Sequence, residues 1–168
     1  MEQPQSGKLN IDRLLTVAFT GHRAETLPWG ADETAPSCIR LKQRLTAAIC
    51  SLYDEGKRVF LSGMAAGFDT YAAEAVLELS ESLPDIRLVC VFPCPSTDPR
   101  AARIAEKAYR SIVLSPEYCA GCMQLRNRFL IDNSSAVLAC WDRRAEGGTY
   151  STLLYANEKL IRIFLLAP

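Results

Sequence analysis

Residues 59–69 read VFLSGMAAGFD, and this stretch decides the fold. An apolar run, Val59 to Leu61, leads into a turn that contains Gly63 and Gly67, and a helical pattern follows from Asp69. Glycine lets a backbone approach a ligand closely, and the first turn of a helix has unpaired N–H groups and partial positive charge. A strand that passes through such a turn into a helix is therefore typical of a phosphate-binding α/β domain.

A second turn of the same kind lies towards the end of the chain. Residues 136–141 read AVLACW, and Gly147-Gly148-Thr149 follow shortly afterwards, before another helical pattern. Two such turns in one small domain predict that an anion, such as the phosphate of a nucleotide, binds between them.

Strand-like and helical patterns alternate along the rest of the chain. Strand patterns lie at 14–20, 59–61, 86–92, 111–114, 136–141 and 161–166, and helical patterns at 41–52, 69–83, 100–110, 123–133 and 150–159. This alternation predicts βαβ units with right-handed crossovers. We expect a single α/β domain, Rossmann-like and three-layered with a mostly parallel central sheet, over residues 13–168, preceded by a flexible N-terminal tail, 1–12.

The composition limits the classes of partner. The 168 residues include 19 Lys and Arg and 19 Asp and Glu, so the net charge is zero. This balance argues against a non-specific nucleic-acid binder. The first ten residues lack the apolar segment of a signal peptide, and no apolar run is long enough to cross a bilayer. We expect a cytoplasmic protein without a membrane partner.

The cysteines predict neither a metal site nor a disulfide framework. There are seven, an odd number, and without a secretory signal they are expected to be reduced. Cys119-Ala120-Gly121-Cys122 has C-x-x-C spacing, but there is no second such pair and no nearby histidine. The motif also lacks a redox βαβ context, so a thioredoxin-like role is disfavoured.

Ligands of parallel sheets bind beyond the carboxyl ends of the strands, an edge that we call the carboxyl edge. Here the segments at that edge are 20–23, 62–69, 93–98 and 142–149. From them and from the start of the fourth helix come the candidate ligand-binding residues: Gly21, His22, Arg23, Ser62, Gly63, Met64, Gly67, Asp69, Arg126, Asn127, Asp142, Gly147, Gly148 and Thr149.

Several of these side chains have two interpretations. Arg23 suits bidentate binding of phosphate, and His22 can donate to one, but each could instead make a structural contact. Ser62 is expected to offer its hydroxyl to the anion. Asp69 either caps its helix or accepts from ribose hydroxyls. Asp142 could bind ribose or a metal, or cap the turn before Gly147.

The two arginines of residues 126–128 have different expected roles. Residues two apart do not share a helical face, so Arg126 and Arg128 should not both point at one ligand. Asp132 lies four residues after Arg128, and this spacing favours a structural ion pair for Arg128.

Taken together, the motifs resemble the SLOG superfamily, which includes the DNA-processing protein DprA and the LOG nucleotide hydrolases. They are FTGHR at 19–23, SGMAxGxD at 62–69 followed by AAE, GCMQxRNR at 121–128, WD at 141–142 and GGT at 147–149. Within the superfamily the chain is most similar to the YpsA-like proteins of unknown function. The resemblance covers nearly the whole chain and implies a Rossmann-like fold that binds a nucleotide-derived ligand.

Two departures from the family pattern bear on function. LOG enzymes carry a glutamate after the glycine motif, whereas residues 150–154 read YSTLL and contain no acid. The stretch 95–115 is short compared with YpsA-like relatives and lacks the tryptophan expected there.

We therefore expect a binding or sensing domain for a nucleotide or related phosphorylated small molecule, with no required cofactor and no established reaction. One alternative is hydrolysis or transfer at a nucleotide N-glycosidic bond, as in LOG enzymes, which the missing acid disfavours. Another is single-stranded DNA binding of the DprA type, disfavoured by zero net charge and the absence of an attached DNA-binding domain. Related domains often form dimers, so the resemblance implies a homodimer as an option.

Overall fold

The computed structural model describes residues 9–168. Within them, six strands form one parallel sheet in the order β4-β3-β2-β1-β5-β6. The strands are β1 (Thr16–Gly21), β2 (Val59–Ser62), β3 (Arg87–Phe92), β4 (Arg110–Val113), β5 (Ala136–Cys140) and β6 (Arg162–Leu166). The α-helices are α1 (Pro36–Asp54), α2 (Phe68–Leu79), α3 (Pro99–Lys107), α4 (Cys122–Asp132) and α5 (Gly147–Glu158).

Strand residues alternate between two apolar layers. In β1, Val17 and Phe19 pack towards α1, α2 and α3, whereas Ala18 packs towards α4 and α5. All three side chains are fully buried. The sheet is therefore covered on both faces, as parallel sheets require, and the predicted Rossmann-like α/β fold is confirmed.

The order of the strands reverses at β1. From β1 the chain builds outwards through β2, β3 and β4, and then returns to place β5 on the other side of β1. In open α/β sheets such a reversal opens a crevice at the carboxyl edge, because the connecting helices leave towards opposite faces. Here the crevice lies beyond the ends of β1 and β5.

Several predicted boundaries differ from those observed, and two of the differences are at the starts of helices. Helix α1 begins at Pro36 rather than at 41, since proline suits the first helical turn. Helix α5 begins at Gly147 rather than at 150, so the second glycine turn is itself the first turn of the helix. Of the predicted tail, residues 1–8 lie outside the described residues. Leu9 is only 8% exposed and donates its N–H to Asn133 Oδ1, so this residue of the predicted tail is packed against the domain.

Arg100, at the start of α3, joins two other segments by ion pairs. Its guanidinium donates to Glu74 of α2 at 2.7 Å and to Glu33, in the loop before α1, at 2.5 Å. The hydrogen bond from Arg100 lowers the pKa of Glu33 to about 2. Glu74 therefore faces a neighbouring segment, as its place in the helical pattern predicts.

No helix in residues 9–168 combines the length and the apolar character that a membrane crossing needs.

The start of α2 is fixed by the loop that follows β1. Arg23 bridges to Gly67, Ala24 donates its N–H to the Ala66 carbonyl at 3.0 Å, and Phe68 donates to the His22 carbonyl at 3.1 Å. Gly67 has a φ of +114°, and a Cβ at this position would lie 2.6 Å from the Ala24 nitrogen. Only glycine fits between these two backbones.

We expect Gly67→Ala to lower the free energy of unfolding by about 3 kcal/mol or more, because backbone strain and a backbone clash add together. Gly30→Ala is the matched control. Gly30 has a φ of +58°, and nothing lies within 4 Å of an added Cβ. Backbone strain alone should therefore lower the free energy of unfolding of this variant, by about 1–2 kcal/mol. Urea unfolding measures the stability of both variants. Equal losses of stability would contradict the prediction, because they would show that the structure relieves the clash at Gly67.

Candidate functional site

A cavity of about 1050 Å³ occupies the crevice beyond β1 and β5. Four segments line it: the end of β1 with the residues that follow it, the first turn of α2, one face of α4 and one face of α5. Its volume is at the upper end of the range for small-molecule sites, so a mononucleotide fits inside it.

The first turn of α5 forms one wall of the cavity and has free hydrogen-bond donors. No group in residues 9–168 accepts from the backbone N–H groups of Gly147, Gly148 and Thr149, and no side chain caps the helix. At Gly148 an added Cβ would meet only Asn127 Nδ2, at 4.0 Å. The partial positive charge of this helix start therefore faces open space, where it favours an anion.

Arg126 of α4 also lines the cavity and is only 4% exposed. Its Nη1 donates to the Gly63 carbonyl and its Nε donates to Asn127 Oδ1 at 2.8 Å. A Cβ on Gly63 would lie 2.3 Å from Arg126 Nη1, so glycine makes room for the guanidinium. Burial lowers the pKa of Arg126, although nearby Asp69 opposes that shift. The buried cation adds to the attraction that the cavity has for an anion.

Asp69, in the first turn of α2, brings a carboxylate to the same cavity. Its Oδ2 accepts from the Ala65 N–H at 3.3 Å, whereas its Oδ1 is buried without a hydrogen-bond partner among the described residues. Burial raises the pKa of Asp69, against the opposing effects of Arg126, the Ala65 N–H and Arg23. A buried polar atom without a partner is costly, so a ligand donor at Oδ1 would be favoured.

His22 and Asp142 join the ends of β1 and β5. The Asp142 N–H donates to His22 Nε2 at 3.0 Å, and Asp142 Oδ1 lies 3.2 Å from the same nitrogen. Asp142 also accepts from the Arg144 N–H at 3.0 Å, and this bond is the main cause that lowers the pKa of Asp142. Asp142 thus shapes the turn before α5, and it does not line the cavity.

The first glycine turn uses its polar groups within the protein. Ser62 is fully buried, and its hydroxyl donates to the Asp69 carbonyl at 2.9 Å and accepts from the Met64 N–H at 3.2 Å. The Gly67 N–H donates to Thr70 Oγ1 at 3.3 Å. The predicted offer of the Ser62 hydroxyl to an anion is therefore wrong, because that hydroxyl supports the turn.

The predicted site residues fall into two groups. The cavity brings together nine of them: Gly21, His22, Arg23, Asp69, Arg126, Asn127, Gly147, Gly148 and Thr149. The cavity lining does not include the other five: Ser62, Gly63, Met64, Gly67 and Asp142. The cavity is thus bounded by the second glycine turn on one side, and by Asp69 and Ala65 rather than the first glycines on the other.

Sequence reasoning missed the part of the cavity that runs along α5. Ser151, Tyr155 and Glu158 line it, and they follow Gly148 at intervals of three or four residues. This spacing marks one helical face. It was missed because the face that a helix turns towards a cavity depends on how the helix packs, and the pattern of residues 150–159 does not give that packing.

Arg128 also departs from expectation, because it makes no ion pair with Asp132 among residues 9–168. Its guanidinium lies over the Tyr155 ring, 5.4 Å from the centroid, and Asp132 accepts from the Tyr155 hydroxyl at 2.7 Å. Arg126 and Arg128 both reach the cavity, since it extends along α4.

Within residues 9–168, no group of three or more His, Cys, Asp or Glu side chains is arranged to hold a metal ion. The cavity itself combines helix-start N–H groups, arginines and carboxylates. These groups suit a ligand with an anionic end and hydrogen-bond donors elsewhere.

A family model described as the YspA SLOG family matches residues 17–160, and the chain belongs to this family. A UPF0398 protein of Brevibacillus brevis is 28% identical over 148 residues, which cover 82% of this chain and 76% of the relative. The UPF0398 protein YpsA of Bacillus subtilis is 25% identical over 156 residues, which cover 85% and 84%. The uncharacterized SPbeta prophage-derived protein YoqJ of that species is 28% identical over 144 residues, which cover 73% and 84%.

Among solved structures, the fold is similar to DNA processing protein A (DprA) from Streptococcus pneumoniae, with a TM-score of 0.66 and 17% sequence identity. The match covers 90% of this chain and 50% of that one, so this chain spans about half its length. The resemblance to the YpsA-like branch of the SLOG superfamily is thereby confirmed, and the likeness to DprA extends to the fold alone.

Asp69→Asn should raise the free energy of unfolding at pH 7 by about 0.5–2 kcal/mol, because the cost of burying this carboxylate outweighs its attraction to Arg126, and asparagine keeps an acceptor for Ala65. The pKa of Asp69 is raised from 3.8 in the fold. Its contribution to stability is therefore fully present below pH 3.8 and is lost as pH rises through the folded value. The advantage of the asparagine variant should shrink as the pH falls towards 4, as urea unfolding at several pH values would measure.

Asp54→Asn is the control, since Asp54 is exposed on α1 and its replacement should change stability by less than about 0.5 kcal/mol. An Asp69→Asn variant less stable than the parent at pH 7 would contradict the burial argument.

Proposed function

We propose that this protein binds a nucleotide or a nucleotide-derived phosphorylated small molecule in the cavity at the carboxyl edge, as a binding or sensing domain. One observation carries the proposal: the uncapped start of α5 faces a cavity of nucleotide size that also contains the buried guanidinium of Arg126. Uncapped helix starts and arginines are both common phosphate-binding groups.

The phosphate would lie at the first turn of α5, where Gly148 leaves the backbone open and Gly147, Gly148 and Thr149 present N–H groups. Asp69 supports this orientation, because a carboxylate repels a phosphate and attracts hydroxyl or amino donors. Ribose hydroxyls supply such donors, and Asp69 Oδ1 lacks a partner among the described residues. We therefore place the sugar nearer α2 and the phosphate nearer α5.

The rest of the ligand has room along the groove between α4 and α5. Gln124 and Glu158 give this part of the cavity polar side chains, and Leu154 and Tyr155 give it apolar surface. A base needs both, since its faces are apolar and its edges carry donors and acceptors.

Hydrolysis at the N-glycosidic bond is less well supported than binding. After the glycine motif, where LOG enzymes carry a glutamate, residues 150–154 contain no acid, and the Thr152 hydroxyl donates to the Gly148 carbonyl at 2.7 Å. The acids that line the cavity are Asp69, Glu146 and Glu158. None of them takes the place of that glutamate.

Gly148→Val should weaken nucleotide binding at least tenfold, equivalent to about 1.4 kcal/mol, because the added side chain fills the phosphate position. Stability should change by less than about 1 kcal/mol, since only Asn127 Nδ2 lies within 4.0 Å of the new Cβ. A thermal-shift screen of nucleoside mono-, di- and triphosphates selects the ligand. A ligand at about 100 times its Kd adds about 2.7 kcal/mol. Titration calorimetry then compares the variants.

The matched control is Asn157→Val, which places the same side chain on an exposed position of α5 outside the cavity lining. It should bind like the parent protein. Normal binding by Gly148→Val, or a variant that fails to fold, would make Gly148 a packing residue and remove the proposed phosphate position.

The protein should bind nucleotides without consuming them. We expect no efficient release of free base from adenosine or cytidine monophosphate, because no carboxylate stands where the LOG pattern places one. Chromatography detects both base and ribose phosphate. Turnover of about 1 per second or faster would overturn this expectation, and its loss in Glu146→Gln or Asp142→Asn would identify the acid responsible.

A further inference from the structure

We propose that Cys119 and Cys122 form a reversible dithiol–disulfide site that reacts with low-molecular-weight disulfides. The pair lies where the loop before α4 meets the loop after β3, and neither cysteine lines the nucleotide-sized cavity. The site is therefore separate from the proposed function and does not depend on it.

The turn that connects the two cysteines brings their Cα atoms close enough for a disulfide. The Cys122 N–H donates to the Cys119 carbonyl at 3.2 Å, and Gly121 between them has φ 81° and ψ 2°. These values are those of the third residue of a type II turn, in which the first and fourth Cα atoms lie within about 7 Å. Disulfides join Cα atoms about 4.4–6.8 Å apart. A Cys119–Cys122 bond thus requires no unfolding.

The two thiols differ in exposure, which assigns their order of reaction. Cys119 is exposed, whereas Cys122, the first residue of α4, is only 3% exposed. The Cys119 thiolate attacks a small disulfide RSSR, forms a mixed disulfide and releases RS⁻. The Cys122 thiolate then attacks the Cys119 sulfur, forms the internal disulfide and releases the second RS⁻. In sum, two protein thiols are oxidised and one RSSR is reduced to two RSH.

Cys94 is a third thiol beside this pair. Burial, followed by the neighbouring Cys122 and Cys119 thiols, raises the pKa of Cys94. Cys94 is also half-buried, whereas Cys119 is exposed, so Cys119 rather than Cys94 is the entry point. The sequence predicted reduced thiols because the cysteine count is odd and no secretory signal is evident. It did not reveal the type II turn or the approach of Cys94.

The test exposes the full-length protein to mixtures of reduced and oxidised glutathione, followed by N-ethylmaleimide, trypsin and mass spectrometry. Peptide 111–126 contains both Cys119 and Cys122, and peptide 88–100 contains Cys90 and Cys94. We expect peptide 111–126 to lose two hydrogen atoms and escape alkylation as the glutathione becomes oxidised. Dithiothreitol should reverse the change.

Variants separate this pairing from its competitors. Cys122→Ser should trap glutathione on Cys119, whereas Cys119→Ser should abolish the oxidised peptide. Cys94→Ser should leave the reaction unchanged, as should the control Cys50→Ser on α1. A link between peptides 88–100 and 111–126 that Cys94→Ser abolishes would overturn the proposal. Full alkylation at every glutathione ratio, or zinc bound to these thiols in the purified protein, would also overturn it.

Discussion

The buried guanidinium of Arg126 is the interaction on which the site depends. It joins α4 to the carbonyl of Gly63 at the end of β2, across the point where strand order reverses. A charge at this depth is costly unless it is hydrogen-bonded. Gly63 has no side chain to obstruct it, Asn127 accepts from it, and Asp69 balances its charge nearby. The interactions of this one cation thus connect α4, the turn at Gly63 and the first turn of α2.

The two glycine turns are similar in sequence, but they differ in which atoms occupy the space beside their glycines. Beside the first turn, the loop after β1 lies against Gly67, and the Arg126 side chain occupies the space next to Gly63. At the second turn, nothing in the described protein occupies the corresponding space above Gly148, apart from the Asn127 amide. At the first turn glycine is required because other parts of the protein approach the backbone. At the second turn the backbone of Gly148 is left open.

The architecture could be predicted from sequence, because alternating apolar runs and helical periods specify a parallel sheet covered on both faces. Val17, Ala18 and Phe19 illustrate this, since their alternation assigns each to one layer. The site was less predictable. The burial of Ser62 and the stacking of Arg128 on Tyr155 depend on contacts between segments far apart in the chain. Local patterns locate such residues at the carboxyl edge but do not reveal which donors are already satisfied.

The central position of β1 also has a consequence for folding. Val17 pairs with Phe60 on one side and with Ala136 on the other. During synthesis the first neighbour is available early, whereas the second becomes available only after β2, β3 and β4 have been made. One edge of β1 therefore stays unpaired until then, and contacts of such sequence separation slow folding. Helices α4 and α5 flank β5 in the chain, so the cavity walls that they form become available only with this second pairing.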